Sequence, residues 1–276
     1  MNQLYEIGLH WASVAFYAIS ACFFVYGFVF KKERALKWGV AAAVAGLIPH
    51  TMALALRWYY TGHGPYLRRY EVYSSDVLIG LVVFTIVQWR KTTLRPLGVI
   101  IMPASFLLIG MAVLSSPEIR PLPETFQTFW LFVHIFFAKL AYGSCLIATA
   151  LAGFYLLVNR SGFQSGGWTS KLPEPMIIDE LSYKFTGFGF IMIGVMIAAG
   201  AIWANDAWGR YWAWDPVETW SLISWVIYGI YLHLRRIHGW KGTKAAWYNI
   251  ASFALLLFTI FGIGLLYISN HSPYMN

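Results

Sequence analysis

Apolar runs about as long as a bilayer is thick recur along these 276 residues, and no other feature limits the fold as strongly. A helix rises about 1.5 Å per residue, so roughly 20 apolar residues cross the hydrocarbon core. Eight runs are expected, near 10–30, 38–58, 73–89, 94–114, 126–158, 184–204, 217–235 and 246–269. With 59% hydrophobic and only 12% charged residues, the chain reads as an all-α polytopic membrane protein, one integral domain over 1–276. The first run has no basic flank and no small-residue cleavage site, so no cleavable signal peptide is expected.

The net charge of +8 does not point to nucleic acid, because the basic residues fall in short loops between apolar runs. Lys31, Lys32, Arg34, Lys37, Arg90, Lys91, Arg95, Arg160, Lys171, Lys184, Arg235, Arg236, Lys241 and Lys244 would share one side. Arg57, Arg68, Arg69, Arg120 and Arg210 would share the other, and Lys139 lies within a run. Basic loops stay inside, so both termini are expected outside. Cys22 and Cys145 each sit in an apolar run with no Cys-x-x-Cys, so dithiol exchange by this chain is not expected.

Between the sixth and seventh runs lies WGRYWAWDPVETWSLISW, residues 208–225, expected on the outer side. Its tryptophans are Trp208, Trp212, Trp214, Trp220 and Trp225, with Trp203 just upstream. Asp215-Pro216-Val217-Glu218 carries a helix-start signal: an Asp N-cap, Pro at the first helical position and a Glu completing a capping box. Interfacial tryptophans ordinarily form a belt, one or two per helix end. Here the density exceeds that, and an indole array suits a large planar ligand. Trp208 and Trp212 are four apart, so a short amphipathic helix on the membrane surface, within 205–220, would put them on one face.

The histidines are read by depth. His134 lies about 13 Å below the expected start of the fifth run, and His271 follows the eighth, so both should reach the outer boundary. Imidazole is a common axial ligand of haem iron, and a pair at one depth beside the tryptophans suits a haem site. His233 lies about 25 Å along the seventh run, near the inner face, where a histidine is costly unless paired or liganded. It is either an inner haem ligand or a snorkelling side chain. His50 reads as a packing or pathway residue, and His10, His63 and His238 as solvated. Haem propionates need cationic partners, and the outer Arg57, Arg68, Arg69 and Arg210 are candidates.

Residues 208–233, WGRYWAWDPVETW through YLH, resemble the tryptophan-rich WWD signature of the haem-handling proteins of the cytochrome c assembly family. RWYYTGHGPYLRRYE, residues 57–71, is similar to a second segment of its CcsA/ResC (system II) branch. The resemblance implies haem b as substrate and bound ligand, delivered outward and joined covalently to apocytochrome c. His134 and His271 would then be the outer iron ligands and His233 one of two inner ligands. Trp208, Trp212, Trp214, Asp215, Trp220, Arg57 and Arg210 would hold the ring and its propionates. The resemblance further implies a membrane partner of the CcsB/ResB type that supplies the other inner histidine. The apocytochrome would present a Cys-x-x-Cys-His segment whose thiols, kept reduced by separate thiol-reducing proteins, add to the haem vinyl groups. A bacterial cell membrane or a thylakoid membrane would be the setting. A haem exporter or chaperone without synthase activity, a cytochrome b-type electron carrier and a non-haem transporter are the competing readings.

Overall fold

In the computed structural model, residues 2–159 and 172–266 are described, and their secondary structure is entirely helical. The helices are α1 Asn2–Val29, α2 Glu33–Thr61, α3 Arg69–Arg90, α4 Gly98–Leu114, α5 Phe129–Val158, α6 Pro175–Trp208, α7 Pro216–Ile237 and α8 Thr243–Leu257. Short 3₁₀ turns, Thr92–Leu97 and Glu124–Phe126, precede α4 and α5, and a π turn, Phe258–Gly262, leads from α8 into a last helical turn, α9, Ile263–Leu266.

Among the described residues, seven helical stretches are long and apolar enough to cross a membrane. The run expected at 217–235 forms α7, whose 22 residues have the length, but it is not among the seven, and Glu218, Arg235 and Arg236 lie within it. This is a polytopic all-α membrane protein, and the large apolar side chains left exposed, such as Leu4, Trp38, Trp89 and Trp247, suit a lipid surround.

The packing has a division that the apolar pattern does not announce. Among the described residues, 2–121 hold α1 to α4 as one compact unit, and 122–157 with 175–266 hold α5 to α9 as another. In the first unit, small residues let helices close up: a Cβ at Gly39 would meet the Phe24 ring at 2.9 Å, and one at Gly98 would meet it at 2.4 Å.

That unit has a buried polar spine. The Tyr17 hydroxyl meets His50 Nδ1 (3.0 Å), His50 Nε2 meets Ser74 Oγ (2.8 Å), Ser74 Oγ meets His10 Nε2 (2.8 Å), and His10 Nδ1 meets the Tyr70 hydroxyl (2.8 Å). His10 is therefore buried, not solvated as expected. Its place near a helix start suggested water, but Ser74 and Tyr70 on α3 enclose it. His63 is buried too, with Nδ1 donating to the Gly64 carbonyl at 2.8 Å.

Arg57 closes the spine and is 0% exposed. Its Nε donates to Glu71 Oε1 (2.9 Å), Nη1 to the Pro117 carbonyl (2.6 Å) and Nη2 to the Glu118 carbonyl (3.0 Å). Glu6 lies alongside, with Oε2 3.6 Å from Nη1. The two ends of the 57–71 segment are thus joined by an ion pair, and Glu71 Oε2 also accepts from the Leu67 amide at 2.8 Å.

In the second unit, α6 packs on α5 through Gly189, where a Cβ would lie 2.6 Å from Cys145 Sγ. At one end, Arg235 of α7 donates to both oxygens of Asp179 on α6 at 2.7 Å, and Asp179 also takes the Gly242 amide at 3.2 Å. Both partners are buried, so the pair ties α6, α7 and the turn into α8. Thr149, Asn249 and Thr186 form a second polar tie between α5, α8 and α6.

Candidate functional site

The tryptophan-rich segment lies at the other end of the second unit. Gly209, at φ +72°, ends α6, and its amide donates to the Asn205 carbonyl at 2.8 Å. Pro216 opens α7 with Asp215 as its N-cap, which leaves 209–214 between Trp208 and the cap. These six residues are not helical, so the expected surface helix through Trp208 and Trp212 is absent. The reason is local: a glycine stop and a proline start leave no room for one.

The expected cap is present in full. The Asp215 carboxylate accepts from the Val217 amide at 2.9 Å, and Glu218 Oε2 accepts from the amides of Ala213 (2.8 Å) and Asp215 (3.2 Å). Glu218 thereby fixes the chain before the helix as well as its first turn. Trp214 sits between those two amides at φ +57°, a conformation that bulky side chains avoid at a cost of roughly 1–3 kcal/mol. Its indole is 70% exposed, so its own packing does not explain the strain.

The indoles divide into groups. Trp203 and Trp208 pack at 4.9 Å between ring centroids, and Trp212 meets Trp214 edge-on at 5.8 Å. Trp220 packs edge-on against Phe258 at 5.0 Å, where the π turn begins, and Thr259 Oγ1 is 2.9 Å from Ser224 Oγ. Trp225 is separate. It stacks on Phe190 at 4.9 Å and donates to the Phe190 carbonyl at 3.1 Å.

His134 is the sixth residue of α5, about 8 Å from the helix start. Its Nδ1 is 2.8 Å from the Met196 carbonyl oxygen on α6. A carbonyl only accepts, so Nδ1 carries the proton and, in the neutral ring, Nε2 carries the lone pair. The imidazole lies 6.2 Å from the Trp203 ring at 31°. Metal-ligating histidines characteristically donate their other ring N–H to a carbonyl or carboxylate, so His134 fits the chemistry of an iron ligand.

Trp203 and Gly200, which complete this surrounding, were not among the sequence candidates. Trp203 is buried and donates Nε1 to the Thr125 carbonyl at 2.7 Å. Their signal was available, since Met196, Gly200 and Trp203 follow the i, i+4, i+7 spacing of one helix face.

The remaining candidates are scattered. Arg210 is exposed beside the tryptophans. Arg57 belongs to the buried spine of the first unit, with Glu71 and two carbonyls as partners, which gives it a structural role there. His233 is exposed on α7, 5.7 Å from the His238 ring, which is exposed as well. Ile223, Val226, Ile230 and Ile237 are exposed at heptad-like intervals on the same helix, so His233 interrupts an apolar stripe. His271 lies outside the described residues. Lys139 is buried in α5.

Residues 67–271 match the model of the family described as cytochrome C assembly protein. The chain is 30% identical over 276 residues to the cytochrome c biogenesis protein CcsA of Guillardia theta, covering 92% of this chain and 91% of that one. It is 31% identical over 255 residues to the CcsA protein of Prochlorococcus marinus (strain NATL1A), covering 80% of each. Among solved structures, the cytochrome c haem lyase CcmF is similar in fold, with a TM-score of 0.73 at 17% identity. The alignment covers 99% of this chain and 48% of that one, so the chain spans about half the length of this structural neighbour.

Proposed function

The chain belongs to the cytochrome c assembly protein family, and from that premise we propose that it receives haem b at the tryptophan-rich end of its second unit and presents it for covalent attachment to apocytochrome c. The observation that carries this reading is the Nδ1–H tautomer of His134, set by the Met196 carbonyl beside Trp203 and Trp208.

His134 and His271 would hold the haem iron. Trp208, Trp212, Trp214 and Trp220 supply flat apolar area for the ring, and Arg210 supplies charge for a propionate. Asp215 and Glu218 act by holding the segment in shape. The chain's contribution is placement of the substrate, while the reactive vinyl groups belong to the haem. A Cys-x-x-Cys-His segment of the apocytochrome supplies the thiols, which separate proteins keep reduced.

His233 is half of an inner haem site, completed by a histidine of a CcsB/ResB-type subunit. Its exposure in an apolar stripe suits a position facing another membrane protein. The tryptophan-rich segment faces outside, in a bacterial cell membrane or a thylakoid membrane, and the two subunits together act as a haem lyase.

The test is the absorption spectrum of the purified complex with haem, beside its yield of holocytochrome c. His134→Gly and His271→Gly should each lose most of the outer-site haem, and imidazole in the medium should restore part of it. Unchanged haem content and cytochrome yield in both variants would refute the assignment.

A further inference from the structure

A helix carbonyl is normally spent on the amide four residues later, and the side chain at that later position shields it. Met196 on α6 departs from this pattern. Its carbonyl faces the Gly200 amide, as α-helix geometry requires, and it also accepts from His134 Nδ1 at 2.8 Å. The second bond exists because position 200 has no side chain. A Cβ there would lie 2.6 Å from His134 Nδ1 and 3.0 Å from Cε1, closer than such atoms approach.

One turn further on, Trp203 flanks the imidazole at 6.2 Å. Its indole is held by the bond from Nε1 to the Thr125 carbonyl at 2.7 Å and by the Phe126 ring, edge-on at 5.5 Å. The ring of His134 is thereby bounded by an acceptor, a gap that fits its edge, and an anchored aromatic wall.

We propose that Met196, Gly200 and Trp203 form a cradle on α6 that fixes the tautomer and tilt of His134 and so sets its strength as an iron ligand. Gly200 and Trp203 are positioning residues. The inference rests on the reading of His134 as a haem ligand. The donated Nδ1 proton makes the imidazole more basic at Nε2, which favours ferric over ferrous iron.

The test is titration of the purified full-length protein with haemin, with three readouts: affinity, the position of the ferrous absorption bands, and the midpoint potential. Gly200→Ala should weaken affinity about 10–100-fold, the range for loss of an outer partner of a metal-binding histidine, and should shift the bands and raise the potential. Trp203→Phe should shift them in the same direction by less.

Gly187→Ala serves as the control on the same helix. A Cβ at position 187 meets only Leu232 at 4.0 Å, and all three readouts should match the parent protein. Gly200→Ala with the parent's affinity, bands and potential would overturn the cradle, provided that His134→Gly loses haem. If His134→Gly changes nothing, the ligand reading itself falls and the cradle with it. If Gly200→Ala does not accumulate as folded protein, Trp203→Phe decides on the same readouts.

Discussion

His50 in the first unit and His134 in the second are both imidazoles within apolar helices, yet they are held by different kinds of partner. His50 spends both ring nitrogens on neighbours, Nδ1 on Tyr17 and Nε2 on Ser74. His10 does the same with Ser74 and Tyr70. His134 is held by Nδ1 against a carbonyl, which defines Nε2 as the basic nitrogen. A closed network suits a scaffold, because every buried polar group gains a partner within it. A ring whose Nδ1 donates to a carbonyl suits a ligand, because the donated proton raises the basicity of Nε2.

This contrast is open to attack from the scaffold side first. Arg57→Met leaves Glu71 buried without its cation, and loss of one partner of a buried ion pair costs about 3–5 kcal/mol. Denaturation of the purified protein in detergent should register that loss, while haem bound by the surviving folded fraction keeps its spectrum. A changed spectrum would mean that the first unit also serves the haem. His50→Phe orphans the Tyr17 hydroxyl, at about 1–3 kcal/mol, and removes one of the two imidazole partners of Ser74. It should lower the thermal midpoint and leave haemin affinity as it was.

From the site side, Trp214→Gly should move stability and binding in opposite directions. Glycine tolerates the left-handed backbone, so stability should rise by about 1 kcal/mol. Haemin affinity should fall up to about tenfold for the lost aromatic contact. A variant that binds as before would make that strain unrelated to haem. The smallest effect is expected at the cap. Asp215→Ala should cost about 1 kcal/mol, whereas Asp215→Asn, which can still accept from the Val217 amide, should cost a few tenths. Equal losses from both would indicate that the charge of Asp215 matters beyond capping.

Legibility in the sequence tracked the distance over which each feature is decided. The capping box of Asp215 and Glu218 needs four consecutive residues and was readable. The absence of a surface helix after Trp208 was also written locally, in Gly209 and Pro216, but the spacing of two tryptophans suggested otherwise. The burial of His10 was not readable, because its partners Tyr70 and Ser74 lie 60 and 64 residues away. Nothing near Arg57 in the chain indicated that the Pro117 and Glu118 carbonyls would engage it. The cradle of His134 was half visible, as a stripe on α6 with no sign of which helix would meet it.

Alone, the sequence determined that this chain is built of apolar helices, where α7 starts, and which aromatic segment marks its family. Those outcomes depend on hydrophobic runs and on backbone preferences within a turn or two. Only the tertiary structure decided which histidines are enclosed, which nitrogen of His134 carries the proton, and that Arg57 is a tie within the first unit. Hydrogen-bond partners across helices are chosen by packing, and packing joins residues that the sequence holds far apart.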